Sequence, residues 1–214
     1  ADGCLYKYPG NDGRQDKLSI TIQKQDIKIL ELFKNKLKTN KPISERDNYV
    51  NLQISSNIIS EDIRKLNISY NKTYGNTIAN IPTEFMPALI RGYIDGDGSI
   101  RYNNNKLVVS ISGYKNNMVK IKRFLETKNI FTDFVVDHRK YQHDENNPFG
   151  ALVVINKTQT YSLLKLIYTN CGNYYMDRKK ETADSYINNI ENSEHIRDKQ
   201  IVLYYNYAVC KKTG

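Results

Sequence analysis

Tryptophan is absent from this chain of 214 residues, proline occurs only five times and cysteine three times. Cys4, Cys171 and Cys210 are odd in number and far apart, with no CxxC pair among them. That supports neither a zinc knuckle nor a disulfide framework, and a reducing, intracellular setting is expected. No apolar run approaches the roughly 20 residues that a membrane span requires, and no signal-peptide pattern opens the chain. Acid is the minority charge: 32 Lys and Arg face 23 Asp and Glu, a formal net charge of +9. With a pI near 9.3, an anionic partner is indicated, nucleic acid first. The 17 tyrosines, with frequent Lys, Asn and Ile, fit AT-rich coding.

What is present is a repeat. "KLSITIQ" (17–23) resembles "KLVVSIS" (106–112). Leu18, Ile20 and Ile22 alternate in the first, and Leu107, Val109 and Ile111 in the second, the period of half-buried strands. Each is followed by a helical pattern: Ile27, Leu30, Phe33 and Leu37, then Met118, Ile121, Phe124 and Leu125. Further strands, "YVNLQIS" (49–55) and "GALVVIN" (150–156), lead into helices at about 57–66 and 158–168. Upstream, "ADGCLYKY" and "GDGSIRY" both read as a strand leaving an Asp-Gly corner.

The fold expected is α+β: two pseudo-symmetric αββαββα repeats with antiparallel sheets, facing each other as a pseudo-dimer. The boundaries are residues 1–80 for the first repeat, 81–182 for the second, and a tail at 183–214 with no motif. The connector, about 68–83, ends at "IPTE", where Thr83 after Pro82 is the expected helix N-cap. Loops differ between the copies: "YPGNDGRQD" exceeds "YNNN", and "HRKYQHDENNPFG" exceeds "SERDN".

Along the helix "EFMPALIRGYID" and into the residue that follows it, Ala88, Gly92 and Gly96 recur at i, i+4 and i+8. Glycine weakens a helix, so a small-residue stripe implies close approach of another helix. Then comes "GYIDGDGSI" (92–100), with two aspartates and three glycines where the helix runs out. "IRGYIDGDG" (90–98) resembles the LAGLIDADG motif of the homing endonucleases. Gly92, Asp95, Asp97 and Gly98 match, Gly96 stands at the small-residue position and Ile90 at the opening Leu. "ADG" at 1–3 matches only the end of a first copy, and the order of strands and helices resembles the family to about residue 180.

The resemblance implies motif helices packed side by side at the repeat interface, through Ala88, Gly92 and Gly96. It implies that Asp2 and Asp97, with backbone near Ala1 and Gly96, bind divalent metal above the DNA. Phosphodiester hydrolysis needs an activated water and a stabilised leaving oxygen, and Mg²⁺ or another hard cation held by carboxylates supplies both. Asp95 is read as structural or as supporting the metal ligands. The family commonly has a lysine near the scissile phosphates, and by position this is Lys72 and Lys179, with Lys180 the alternative. A lysine there stabilises transition-state charge or poises a water.

The DNA-reading surface implied is a saddle made by the strand faces opposite the helices, entering the major groove. Alternation selects Tyr6, Tyr8, Lys17, Ser19, Thr21 and Gln23 in the first repeat. In the second it selects Ser99, Arg101, Asn103, Lys106, Ser110 and Ser112. Arg46, Asn48, Arg139, Lys140 and Gln142 lie on the second hairpins. Arg, Asn and Gln suit base edges, while Lys suits phosphates. His138, His143 and His195 have no cysteine partner and no HNH frame, so a metal role for them is rejected.

The function expected is a monomeric double-strand DNA endonuclease of intron-homing type. Because the repeats differ in loops and strand residues, its target is long and asymmetric. An RNA maturase acting on intron RNA, or a non-catalytic DNA-binding protein on the same scaffold, is the alternative. The first motif's helix would lie before Ala1; either residues precede Ala1 or another element covers the small-residue stripe.

Overall fold

The computed structural model describes residues 3–8, 15–70, 81–136 and 149–193. In the first repeat, β1 (Gly3–Tyr6), β2 (Lys17–Gln23), β3 (Ile43–Arg46) and β4 (Tyr49–Ser55) form an antiparallel sheet in the order β1-β2-β4-β3. Helices α1 (Ile27–Lys36) and α2 (Asn57–Lys65) follow β2 and β4. The second repeat opens with the motif helix α3 (Met86–Asp97). Its sheet has β5 (Ser99–Asn103), β6 (Lys106–Tyr114), β7 (Asp133–Val136) and β8 (Phe149–Val154) in the equivalent order β5-β6-β8-β7. Helices α4 (Lys115–Thr127) and α5 (Lys157–Tyr168) take the places of α1 and α2. A further helix, α6, spans 177–193. The second repeat is therefore αββαββα with one more helix. A helix leading the first repeat is not among the described residues.

Alternation is realised in the strands. Leu18, Ile20 and Ile22 pair with Ile54, Leu52 and Val50, and Val109 and Ile111 pair with Val154 and Leu152. Cross-strand partners share a face, so each apolar set lies against its helices. Ile22, Leu30, Val50, Leu52 and Ile54 form one core. The other is built around Ile90, Ile94, Val109, Ile111, Ile121, Leu125, Leu152, Leu163 and Ile167. Matching Ile20 to Val109 puts Leu52 against Val154, one residue along from the match of "YVNLQIS" to "GALVVIN". A slip of one is detectable because it would exchange the faces.

Helix starts follow local chemistry in two cases. Ser56 Oγ accepts from the backbone N–H of Ile59 at α2, and Asn156 Oδ1 accepts from those of Thr158 and Gln159 at α5. Thr83 is not the N-cap expected of it. It begins a 3-10 turn, Thr83–Phe85, and α3 starts at Met86 with Pro87 in its first turn, where a missing N–H costs nothing. Phe33 and Leu37 leave the first core's helix stripe incomplete, being 46% and 37% exposed. The boundary expected at residue 182 falls inside α6. Ala183 and Ile187 on that helix belong to the second core, so the repeat extends beyond it.

Candidate active site and nucleic-acid interface

The motif helix ends because the chain must turn at Gly98. Its N–H closes the last turn on the Ile94 carbonyl at 3.1 Å, and its backbone is already extended. A Cβ at Gly98 would sit 2.6 Å from both Ile94 Cα and the Ser110 carbonyl oxygen. Backbone meets backbone there, so only glycine fits. At Gly3, the equivalent residue of the first repeat, the nearest atom would be 3.7 Å away. Asp97, the last residue of α3, is exposed.

Beneath Asp97 lies a buried polar assembly. Lys179, 5% exposed, reaches from α6 under the helix end. Its ammonium donates to the carbonyls of Ile94, Asp95 (2.7 Å) and Gly98 (2.9 Å). A helix C-terminus exposes carbonyls and negative potential, and three N–H donors on one cation answer both. Asp95, 7% exposed, accepts from the Tyr168 hydroxyl at 3.2 Å and the Met176 N–H at 3.2 Å. Burial pushes its carboxyl above the ordinary range, against those two hydrogen bonds and the charges of Lys179 and Arg91. Burial, then the neighbouring Asp95, likewise raises Tyr168. Arg91, also buried, donates to the carbonyls of Ile167 and Tyr174, both at 2.7 Å.

One expectation changes here and another narrows. Lys179 is not a solvent-facing lysine waiting for a phosphate; its ammonium is committed to helix carbonyls, and its observed role is that of a helix cap. Asp95 takes the structural role. Lys180 is partly buried, pairs with Asp184, and lies 5.7 Å from the ring centres of both Tyr168 and Tyr175. Arg91 was missed by sequence reasoning, although a lone charge inside "ALIRGYI" is a visible signal.

Away from the helices, each sheet presents one open face. On the first, Tyr6 pairs with Lys17, Ser19 with Gln53, Thr21 with Asn51, and Gln23 and Arg46 with Tyr49. Lys17, Ser19, Thr21 and Gln23 therefore share one face with Tyr6 and Arg46, as alternation implied. Ser19 is covered rather than open: it is 7% exposed. Asn51 Nδ2 donates to Ser19 Oγ at 2.9 Å and to Thr21 Oγ1 at 2.7 Å. Tyr49, Asn51 and Gln53 join this face unforeseen, because only the first hairpin was read for alternation. Tyr8 follows β1, with the Lys17 ammonium 5.4 Å from its ring centre. Asn48, in the β3–β4 turn, accepts from the Lys24 N–H at 2.8 Å.

On the second sheet, Ser99 Oγ lies 2.8 Å from Ser110 Oγ, and Asn103 pairs with Lys106. Arg101 lies opposite Val108, and Ser112 opposite Ala151. All six residues chosen there share one face. Its centre is more apolar than that of the first sheet and is covered: Val108 and Ala151 there are each only 9% exposed, and Val153 is half-buried.

Ala88 and Gly92 are exposed and Gly96 is half-buried; a Cβ on Gly92 would meet nothing within 4 Å. Ala1, Asp2, Lys72, Arg139, Lys140 and Gln142 lie outside the described residues, as do His138, His143 and His195. Among the described residues no group of three His, Cys, Asp or Glu gathers to hold a metal, and no helix is long and apolar enough to cross a membrane.

Residues 84–168 match the sequence family described as the LAGLIDADG-like domain. No curated protein matches the chain by sequence. Solved structures do match it. The LAGLIDADG homing endonuclease I-GzeII in complex with its DNA target has a TM-score of 0.55 at 16% identity, covering 90% of this chain and 87% of that one. The meganuclease I-SmaMI bound to DNA gives 0.57 at 16%, covering 91% and 88%. The LAGLIDADG homing endonuclease I-LtrWI bound to target DNA gives 0.55 at 12%, covering 91% and 88%. The chain thus carries a LAGLIDADG-like domain over residues 84–168 and, over most of its length, the fold of the LAGLIDADG homing endonucleases.

Proposed function

We propose that this chain is a site-specific endonuclease that cuts both strands of a long, asymmetric DNA duplex, acting as a monomer with a divalent cation. The observation that carries the proposal is the exposed Asp97 at the tip of a helix whose end is held by the buried Lys179, in a chain whose two sheets each turn a polar-edged face away from their helices. Binding alone needs the faces. It has no use for an acid at the tip of a helix that already carries negative potential.

The donors at that tip suit a hard cation. The Asp97 carboxylate and the adjoining Gly96 carbonyl are oxygen ligands, which Mg²⁺ accepts while keeping several waters. The capping bonds from Lys179 to Ile94, Asp95 and Gly98 hold this tip in place. Asp2 is assigned the matching role in the first repeat. Bound there, the cation supplies an activated water and stabilises the leaving oxygen. The chain's own residues do the rest. Lys179 and Asp95 fix the turn that carries Asp97. Tyr6, Lys17, Thr21, Gln23, Arg46 and Tyr49 in one repeat, and Ser99, Arg101, Asn103 and Lys106 in the other, present donors and acceptors to base edges and phosphates. The two faces differ in their exposed residues, Tyr49 and Arg46 on the first and Arg101 with Val135, 47% exposed, on the second, which suits two unlike half-sites, since an exposed apolar side chain can contact a thymine methyl.

The test is to incubate the protein with Mg²⁺ and duplexes covering the flanks of its own gene, then sequence the ends produced. Discrete double-strand cuts at one site are expected. Asp97→Asn should cut at least about 100-fold more slowly, the scale for losing one preorganised stabiliser of developing charge, while still binding the duplex. Undiminished cutting by that variant would remove Asp97 from the mechanism.

A further inference from the structure

The segment 174–180 has two sides. One side grips the motif helix: the Tyr174 carbonyl accepts from Arg91, the Met176 N–H donates to Asp95, and Lys179 caps the final turn. The other side reaches the first repeat. Arg178 places Nε 3.3 Å from both carboxylate oxygens of Asp26 and Nη2 3.2 Å from Oδ2, across 152 residues of chain. Asp177 accepts from Lys28 at 2.6 Å, and the Lys28 ammonium lies 5.0 Å from the Tyr175 ring centre.

The two ion pairs are not equivalent. Lys28 and Asp177 are both well exposed, at 43% and 49% of their side chains, and such pairs contribute little. The Asp26 side chain is only 4% exposed against 43% for Arg178. A carboxylate that buried depends on its partner, and two guanidinium nitrogens on one carboxylate fix direction as well as distance. Asp26 sits in the turn between β2 and α1, and β2 pairs with β1. Arg178 and Lys179, adjacent in α6, therefore connect the first sheet to the turn that carries Asp97.

We propose that the Arg178–Asp26 pair is a positioning latch between the repeats. It holds the Asp97 end of the motif helix at a set place relative to the first repeat, so that both strands are cut in one binding event. This rests on the endonuclease reading above. Neither residue touches DNA in this role; the latch acts through Asp97.

The test uses a supercoiled plasmid bearing the target and follows nicked against linear product. Arg178→Gln and Asp26→Asn should each raise the nicked share at early times at least fivefold. Arg178→Lys, which keeps the charge but not the two-nitrogen grip, should fall between. The double variant Asp26→Asn/Arg178→Gln separates positioning from folding. It no longer buries an unpaired carboxylate, so its melting temperature should recover above that of Arg178→Gln, while its nicked share stays high. A nicked share that recovers together with the melting temperature, or single variants with the wild-type product ratio, would overturn the latch. If the wild type cuts no DNA, the endonuclease reading fails and the physical link is judged separately. Amide exchange in α1 and β2 should then be at least tenfold faster in the double variant, and unchanged exchange would overturn the link too.

Discussion

Lys179→Met separates a lysine that holds the helix end from one that works on phosphate. The substitution keeps the side chain's length and roughly its volume, and removes three hydrogen-bond donors and a charge. The Ile94 carbonyl keeps the Gly98 N–H at 3.1 Å, so it loses little. The Asp95 and Gly98 carbonyls lose the ammonium in a buried setting, at about 1–2 kcal/mol each. Removing a cation from a partly buried helix C-terminus adds about 1 kcal/mol. Net destabilisation of about 3–5 kcal/mol is expected, a large part of a typical domain's stability of about 5–15 kcal/mol. Urea unfolding of the full chain at pH 7, for wild type and variant side by side, measures it. Cleavage should then be assayed well below the variant's melting temperature. It should stay slow, because the turn under Asp97 has lost its support. A loss of stability below about 1 kcal/mol would refute the capping argument. Slow cleavage at wild-type stability would instead show an ammonium acting directly on the substrate.

Gly98→Ala should destabilise by about 1–3 kcal/mol, the range for overpacking, because its Cβ would meet backbone at 2.6 Å on two sides. Gly3→Ala, with 3.7 Å to its nearest neighbour, should change the thermal midpoint far less; equal shifts would contradict this reading of the motif glycine. Asp95 gives a pH test. Its folded-state carboxyl is raised above its ordinary value, so the folded chain holds the proton more tightly than the unfolded one. Its contribution is therefore complete below the ordinary carboxylate range and is lost as pH climbs through the raised value. Asp95→Asn cannot titrate, so its urea midpoint should gain on the wild type's between pH 4 and pH 7. A gap that stays constant or moves the other way would reverse the sign assigned to burial.

What the sequence made legible was whatever repeats along the chain. Period two places Lys17–Gln23 in a strand with Leu18, Ile20 and Ile22 on one side, and the structure has that strand with those bounds. The strand Tyr49–Ser55 and the starts of α2 and α5 agree to within a residue, because Ser56 and Asn156 are side chains that cap. Thr83 is of the same chemical type, yet the helix begins three residues later, since Pro82 leads into a 3-10 turn whose Phe85 N–H bonds to the Pro82 carbonyl. The place of Asp97 at the exposed end of a helix was legible from its motif. Asp26 was not: nothing in "QKQDIKIL" marks it as a buried carboxylate whose partner is 152 residues away.

"DRKKE" (177–181) shows why the site was harder to read than the fold. In sequence it is one basic run, and choosing among Arg178, Lys179 and Lys180 is guesswork. On a helix, successive side chains point roughly 100° apart, so α6 sends the three cations to different partners. Arg178 goes to Asp26 in the first repeat, Lys179 to the end of the motif helix, and Lys180 to Asp184 on its own helix. Only Arg178 reaches the other repeat, while Lys179 fastens α6 to the motif helix of its own repeat, and the two are adjacent residues on one rigid element. A change that rotates α6 about its axis must therefore disturb both the cap and the latch together. Inserting one residue between Arg178 and Lys179 cannot preserve both grips. Substituting either residue alone loses one grip directly and leaves the other residue's partner in place. That adjacency is the physical basis for treating the Asp97 turn and the repeat interface as one unit.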